Sequence, residues 1–444
     1  MNITDILIMH FFSNLNFSKS NYLSILLSLI PISFVAGNLI ININILMLLL
    51  STLIFYKKDI FSIKYYFLDK LIFSFFILVI FTGFINYYFF KSDEIVSYLV
   101  SPLKSILFLK YLGLYIALRY IIEKNLISLK LFFITCACSS IFVSFDIFYQ
   151  FFHGEDIFGL KTVGIGRKLS GPFGDELIAG GFIQRFSLFS FFLIPIFFTK
   201  ISNNLSKFII PLLFIIFLSA IILSGNRMPM LLFIFLIFLI VVFQKQTRKF
   251  FFPFILIFSI IFSLIYNFNQ EVKVNFNNLN RQIISMKTLI LAKDFNNYNN
   301  TTYLREFSTF YETWLMNKYI GGGIKNFRFY CHIRPKIDKN SKFICNMHPH
   351  NYYLEILTET GILGLLILLI IFSIVLNNTF YRKYFSKASL QNNNLIIPFI
   401  FLFIVEIFPI KSTGSFFTTG NTTYLFIILG ILVGLLRKEN IIEK

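Results

Sequence analysis

No Asp-x-Asp pair occurs in these 444 residues, and there is no Walker or dinucleotide glycine pattern and no His-Glu-x-x-His string. Metal-assisted group transfer is therefore disfavoured. Charge is also sparse. Asp, Glu, Lys and Arg make up 14% of the chain against 57% hydrophobic residues, and a mean hydropathy of +0.75 argues against a fold that keeps its apolar residues out of water by itself. Cysteine is limited to four residues, of which Cys136 and Cys138 sit inside an apolar run and read as packing residues. No internal repeat is visible.

What is abundant is uninterrupted Ile, Leu, Phe and Val. Runs such as 71–90, 208–223, 230–243 and 250–266 suit lipid as solvent, in which helices of roughly 20 residues satisfy their own backbone bonds. The pattern predicts an all-α integral membrane protein of about twelve helices, at 22–36, 39–56, 71–90, 105–122, 131–152, 177–199, 208–223, 228–243, 250–266, 352–376, 395–410 and 422–436. Met1 to Ser20 has no small-residue cleavage pattern and is expected to remain as an uncleaved anchor. With both termini cytoplasmic, 19 Lys and Arg, Arg119 and Arg437 among them, fall in inner segments and 7, Lys411 among them, in short outer ones. The long loop 267–351 is then outside. Four regions follow: scaffold helices over 1–152, helices with Gly- and Arg-bearing outer turns over 153–266, one large periplasmic loop over 267–351, and C-terminal helices over 352–444.

The loop carries 12 Lys and Arg against five acidic residues. That surplus points to an anionic partner at the outer face: lipid phosphate, a lipid-linked pyrophosphate or an acidic glycan, and not nucleic acid. The plainer alternative is a Lys- and Asn-rich composition with no partner at all. Cys331 and Cys345 lie in this loop, where an oxidising compartment favours a disulfide; with His332, His348 and His350 nearby a zinc site competes, although the spacing fits no familiar ligand pattern. From Thr301 to Tyr319, Leu304, Phe307, Tyr311, Trp314, Leu315 and Tyr319 recur at spacings of three and four. They predict an amphipathic helix on the membrane surface or against the bundle, ended by Gly321, Gly322 and Gly323. The lone Trp314 suits an interfacial position.

Four places can carry chemistry. In Ser224 to Leu231, Arg227 lies between two apolar runs, where it can snorkel to headgroups or hold a diphosphate with its fork of donors. In Arg167 to Phe186, a Gly171-Pro172-Phe173-Gly174 turn precedes a helix that Asp175 can cap, and Arg185 lies two to three turns in. A charge at that depth is costly and is usually paired or lines a wet cavity. Arg305 shares the polar side of the amphipathic helix with Thr309 and Glu312 and is either a solvated residue or a third anion-binding cation. In Met347 to Gly361, Asn351 can cap the following helix and fix His350 at its outer mouth as a base near neutral pH. Glu355 and Glu359 share a face of that helix, where they can orient the histidine or an acceptor sugar, or pair with nearby arginines.

Taken in order from about Arg167 to Leu436, these motifs resemble the O-antigen ligase and polymerase superfamily of bacterial envelope glycosyltransferases. The matching parts are the Gly-Pro-Phe-Gly turn, Ser-Gly-x-Arg at 224–227, Arg305 with its helix and Gly321 to Phe327, His350-Asn351 with Leu354, Glu359 and Gly361, and the small polar turn at 412–423. The resemblance implies metal-independent, inverting transfer of a glycan from undecaprenyl pyrophosphate to an acceptor hydroxyl at the periplasmic face of the inner membrane, with no cofactor. Arg227 and Arg305, with Arg185, would hold the pyrophosphate, and His350 would take the acceptor proton. His348 precedes the motif and is a second choice. The Cys331 to Cys345 segment departs from the family's pattern. A ligase acting on lipid A core leads, because one large loop directly precedes the histidine motif. A polymerase extending a growing glycan is the alternative. A flippase or transporter for lipid-linked sugars is the alternative of another class, for which repeated halves are expected.

Overall fold

The computed structural model describes residues 18–89, 100–161, 169–198, 203–270, 302–333, 345, 350–386, 393–411 and 414–439, with scattered residues between 272 and 287. Met1 to Phe17, most of the expected anchor, lies outside them. Among the described residues there is no strand beyond one isolated bridge between Glu155 and Lys161. The helices are α1 (Lys19–Ser28), α2 (Ile30–Ala36), α3 (Asn38–Tyr56), α4 (Phe67–Phe89), α5 (Val100–Glu123), α6 (Lys130–His153), α7 (Ala179–Phe186), α8 (Leu188–Phe197), α9 (Asn203–Leu223), α10 (Arg227–Phe243), α11 (Lys245–Phe268), α12 (Thr302–Leu315), α13 (Phe327–Ile333), α14 (Tyr352–Leu376), α15 (Ile397–Glu406) and α16 (Thr419–Lys438). Eight segments among the described residues are long and apolar enough to cross a membrane, and Phe208–Leu223, Arg227–Phe243 and Ile397–Glu406 are shorter apolar helices. The described residues are all-helical, and the chain is a multi-pass membrane protein.

Each apolar run falls on helix, with local breaks. The run at 177–199 is two helices that meet at Ser187. The run at 395–410 is helical only to Glu406, after which the chain turns through Pro409, whose ring nitrogen has no hydrogen to continue the ladder. At the centre lies α16, buried along most of its length. Gly430 and Gly434 let it close onto α5: a Cβ at Gly430 would meet Leu118 Cβ at 3.0 Å, and one at Gly434 would meet Ile122 Cβ at 2.7 Å.

The two ends of α16 hold different charge clusters, about 24 Å apart from Asn421 to Arg437 at the rise of an α-helix. At the Arg437 end, the Arg119 guanidinium lies 2.6 Å from Asp69, both fully buried, and Arg437 approaches the other Asp69 oxygen at 3.8 Å. Tyr115 donates to Asp69 at 2.5 Å, and Arg119 donates to the Lys64 carbonyl at 2.6 Å. Arg119 and Arg437, counted above with the inner segments, are thus interior ion-pair members. Desolvating an arginine costs several kcal/mol unless carboxylates and acceptors meet it. Asp69, Glu123 at 3.3 Å from Arg119 Nε, and the Lys64 carbonyl do so here, so two carboxylates answer two guanidinium groups.

A third break is built from glycine. Within α14, Gly361 adopts φ +67° and ψ −172° and interrupts the helix. The freed groups pair with the triple-glycine segment: the Gly322 and Gly323 amides donate to the Thr358 and Glu359 carbonyls at 2.9 and 2.8 Å, and the Ile362 amide donates to Lys318 at 2.9 Å. A Cβ at Gly361 would strike the Tyr319 main chain, and one at Gly321 would strike Glu359 and Thr360. Asn86 of α4 locks the junction, donating to the Gly321 carbonyl at 2.9 Å and accepting from Tyr330 at 2.9 Å.

The amphipathic helix is shorter than its periodicity predicts and turned the other way. It ends at Leu315, and turns carry the chain to Gly321. Phe307 and Tyr311 of the expected apolar stripe face outward, whereas Glu306, Thr309, Phe310 and Thr313 are buried. Phe310 packs on Phe327 and on the joined sulfurs of Cys331 and Cys345, and the small threonines allow close approach.

Candidate functional site

At the Asn421 end of α16, four elements converge on one carboxylate. Glu406 closes α15 and is 1% exposed. Arg185, in the last turn of α7, grips it with two donors, Nη2 to Oε1 at 2.7 Å and Nε to Oε2 at 3.2 Å. Lys411 Nζ donates to the same Oε1 at 2.6 Å, and the Tyr352 hydroxyl, at the start of α14, donates to it at 2.6 Å. Tyr352 in turn accepts from Lys411 at 3.2 Å and from Arg185 at 3.4 Å. Asn421 Oδ1 accepts from Arg185 Nη2 at 2.7 Å, while the Tyr424 ring lies under the guanidinium at 5.0 Å.

Two cations therefore share one anion. The Arg185 side chain is 14% exposed and that of Lys411 is 5% exposed, so the seat carries a surplus positive charge largely withdrawn from water. Low-dielectric sites tolerate such a surplus poorly unless an anion can answer it. Burial pushes the Lys411 amine down to about 8; Glu406 opposes that shift and Arg185 adds to it. Arg185 Nη1 donates no hydrogen bond among the described residues.

The histidine motif borders this seat. Asn351 caps α14, its Oδ1 accepting from the Tyr353 and Leu354 amides at 3.0 and 3.2 Å. Its Nδ2 reaches across to the carbonyls of Pro409 and Lys411 at 2.7 and 3.3 Å. The half-buried His350 is thereby fixed one residue from a group bonded to the turn that carries Lys411. One turn into α14, Glu355 is fully buried; it accepts from Ser415 Oγ at 2.5 Å and from the Phe416 amide, and Lys325 Nζ donates to Ser415 Oγ at 3.1 Å. Glu359 lies a turn deeper and faces the Lys325 main chain, with the charges of Lys325 and Arg328 nearby. Both carboxylates thus answer to the 325–328 and 415–417 segments.

Arg227 is the first residue of α10 and lines a narrow cleft with Gly225, Met230, Val272 and Phe276. Its turn packs on the helix that bears Arg185: a Cβ at Gly180 would meet Ser224 Oγ at 2.6 Å and Asn226 Cβ at 2.8 Å. Only glycine admits that contact. Arg305 lies on α12, but its side chain is outside the described residues, as is His348. Cys331 and Cys345 form a disulfide, with Cα atoms 5.7 Å apart, so their sulfurs bind each other and not a metal. Packed with Phe310 and Leu354, they tie Cys345 to α12 and α14.

The sequence singles out Arg185 and the histidine motif as candidates, whereas Glu406, Lys411, Tyr352 and Asn421 come to them only in the fold. One signal was present: Glu406 is a lone carboxylate in an apolar run, and an ionisable residue at such a position is functional by default.

Residues 212–369 match the family model described as O-antigen ligase. The resemblance carried by the motifs is borne out over the stretch that includes Arg227, Arg305, His350, Glu355 and Glu359; Arg185, Glu406 and Lys411 lie outside it. No curated protein matches the chain.

Proposed function

We propose that this O-antigen-ligase-like membrane protein transfers a glycan from undecaprenyl pyrophosphate to an acceptor hydroxyl at the outer face of the bacterial inner membrane. The observation that carries the reading is the surplus positive charge at Glu406, built where the Arg185 helix, the histidine motif and the polar turn before α16 meet. A diphosphate is the anion that this reaction places there. In the proposed mechanism Arg185, with Arg227 and Arg305 from the flanking elements, binds the diphosphate and stabilises its charge as the anomeric carbon–oxygen bond breaks. His350 accepts the proton of the acceptor hydroxyl as that oxygen attacks the opposite face, giving inversion. Cationic side chains supply the leaving-group stabilisation, so the reaction runs without a metal.

The orientation that suits this chemistry keeps both termini in the cytoplasm and loop 267–351 outside. Burial of Arg119 and Arg437 removes two of the 19 inner charges, and the excess over 7 outer ones remains. Lipid A core is the preferred acceptor, which makes the protein a ligase. The polymerase reading shares every step except the acceptor. A flippase for the same lipids is less consistent with charges gathered at two ends of one bundle than with mid-membrane sites in repeated halves. Complementation of ligase-null and polymerase-null strains, read on a lipopolysaccharide gel, tests the assignment: rescue of neither overturns it, and rescue of the polymerase-null strain alone replaces ligase by polymerase.

A further inference from the structure

We propose that Lys411 is a phosphate-binding residue of the donor site, carrying the second positive charge that meets the diphosphate beside Arg185. The assignment rests on the lipid-diphosphate reading above and extends it to a residue outside the recognised motifs. Three observations converge on it. Glu406 Oε1 accepts from Arg185 Nη2, Lys411 Nζ and the Tyr352 hydroxyl, so both cations touch one oxygen and can be bridged by one small anion. Lys411 fills two of its three ammonium hydrogens, toward Glu406 and Tyr352, and the third has no acceptor among the described residues. Its ammonium also lies over the Tyr352 ring, 4.5 Å from the centroid, which holds it at the start of the helix that His350 precedes. A buried ammonium needs partners to stay in such a place; Glu406 and Tyr352 position it there.

The charged and titratable groups facing Lys411 are Glu406 from α15, Arg185 from α7 and Tyr352 from α14. Burial has already brought the amine down to about 8, and a bound dianion would raise it again. Affinity for the anion is therefore constant below that pH and falls as the pH rises through it. Arginine in the same place keeps its charge at every accessible pH.

The test uses the full chain in detergent and, as probe, a diphosphate diester bearing a short prenyl chain and a methyl group, whose phosphates stay ionised throughout. Calorimetric titration of the wild type should give binding about tenfold weaker at pH 9 than at pH 7, as expected for one group losing its proton at about 8. Lys411→Arg should bind with little change between the two, and Lys411→Met should bind weakly at both. A wild type that is flat between pH 7 and 9, a Lys411→Arg variant with the same decline, or no binding at either pH overturns the assignment. Because binding is read without turnover, a protein that passes this test but transfers no glycan would sink the transferase reading alone. A transferase that lacks the pH-dependent limb would sink only the role of Lys411.

Discussion

Glu406→Gln tests the charge count of the seat directly, because the side chain keeps its shape and loses only its charge. In the wild type, Arg185 and Lys411 face one carboxylate. Arg185→Met leaves Glu406 matched one-to-one by Lys411, whereas Glu406→Gln strands two buried cations with no anion. Removing one partner of a buried pair costs about 3–5 kcal/mol. Arg185→Met should fall at the lower end, about 3 kcal/mol, because a partner remains. Glu406→Gln should reach the upper end, about 5 kcal/mol. The second variant also has a pH signature. In the wild type the Lys411 amine is depressed to about 8 from an unfolded value of 10.5. Without Glu406, which opposes that shift, it lies lower still, so over the range up to 10.5 the unfolded chain holds more protons and the variant's stability rises with pH more than the wild type's. Raising the pH from 7 to 9 should restore part of the Glu406→Gln loss by letting Lys411 become neutral. Thermal unfolding of the detergent-purified variants at one scan rate gives the ranking even where unfolding is irreversible. An Arg185→Met variant at least as unstable as Glu406→Gln, or a Glu406→Gln variant indifferent to pH, would refute the shared-anion account.

Three further outcomes follow from the geometry. His350→Ala should insert and fold normally yet lose about 10² to 10⁴-fold in glycan transfer, with the wild-type rate unchanged by excess EDTA; normal activity in the purified variant would remove the base, and strict dependence on added metal would overturn the arginine account. Gly361→Ala should destabilise by more than about 3 kcal/mol, because it combines left-handed strain with a collision against the Tyr319 main chain, and near-wild-type thermal stability would disprove the pairing of α14 with the triple glycine. Reporter fusions after Asn300 and at Lys444 should report opposite sides of the membrane, and the same side for both would reverse the orientation.

Hydropathy is local, so the sequence alone determines which stretches become membrane helices: the runs at 39–56, 208–223 and 228–243 coincide with α3, α9 and α10 nearly to the residue at most of their ends. Capping is local too, and Asn351 could be read as the start of α14 because its side chain needs only the next three residues. Arg185 was legible as a charge that needs a partner. Which partner it takes is another matter, because Glu406 lies 221 residues away and nothing near Arg185 encodes that distance. Arg119 could only be counted with an inner segment for the same reason: its partner Asp69 lies 50 positions earlier and is brought against it by folding. The outward turn of Phe307 and Tyr311 depended on a disulfide and on Phe327, which fill the space beneath Phe310, and the break at Gly361 on a glycine run that arrives from outside the helix. Solvent preference is a property each residue carries by itself, whereas ion pairing, close backbone approach and the choice of buried face are properties of two segments at once, and those were settled only when the chain folded.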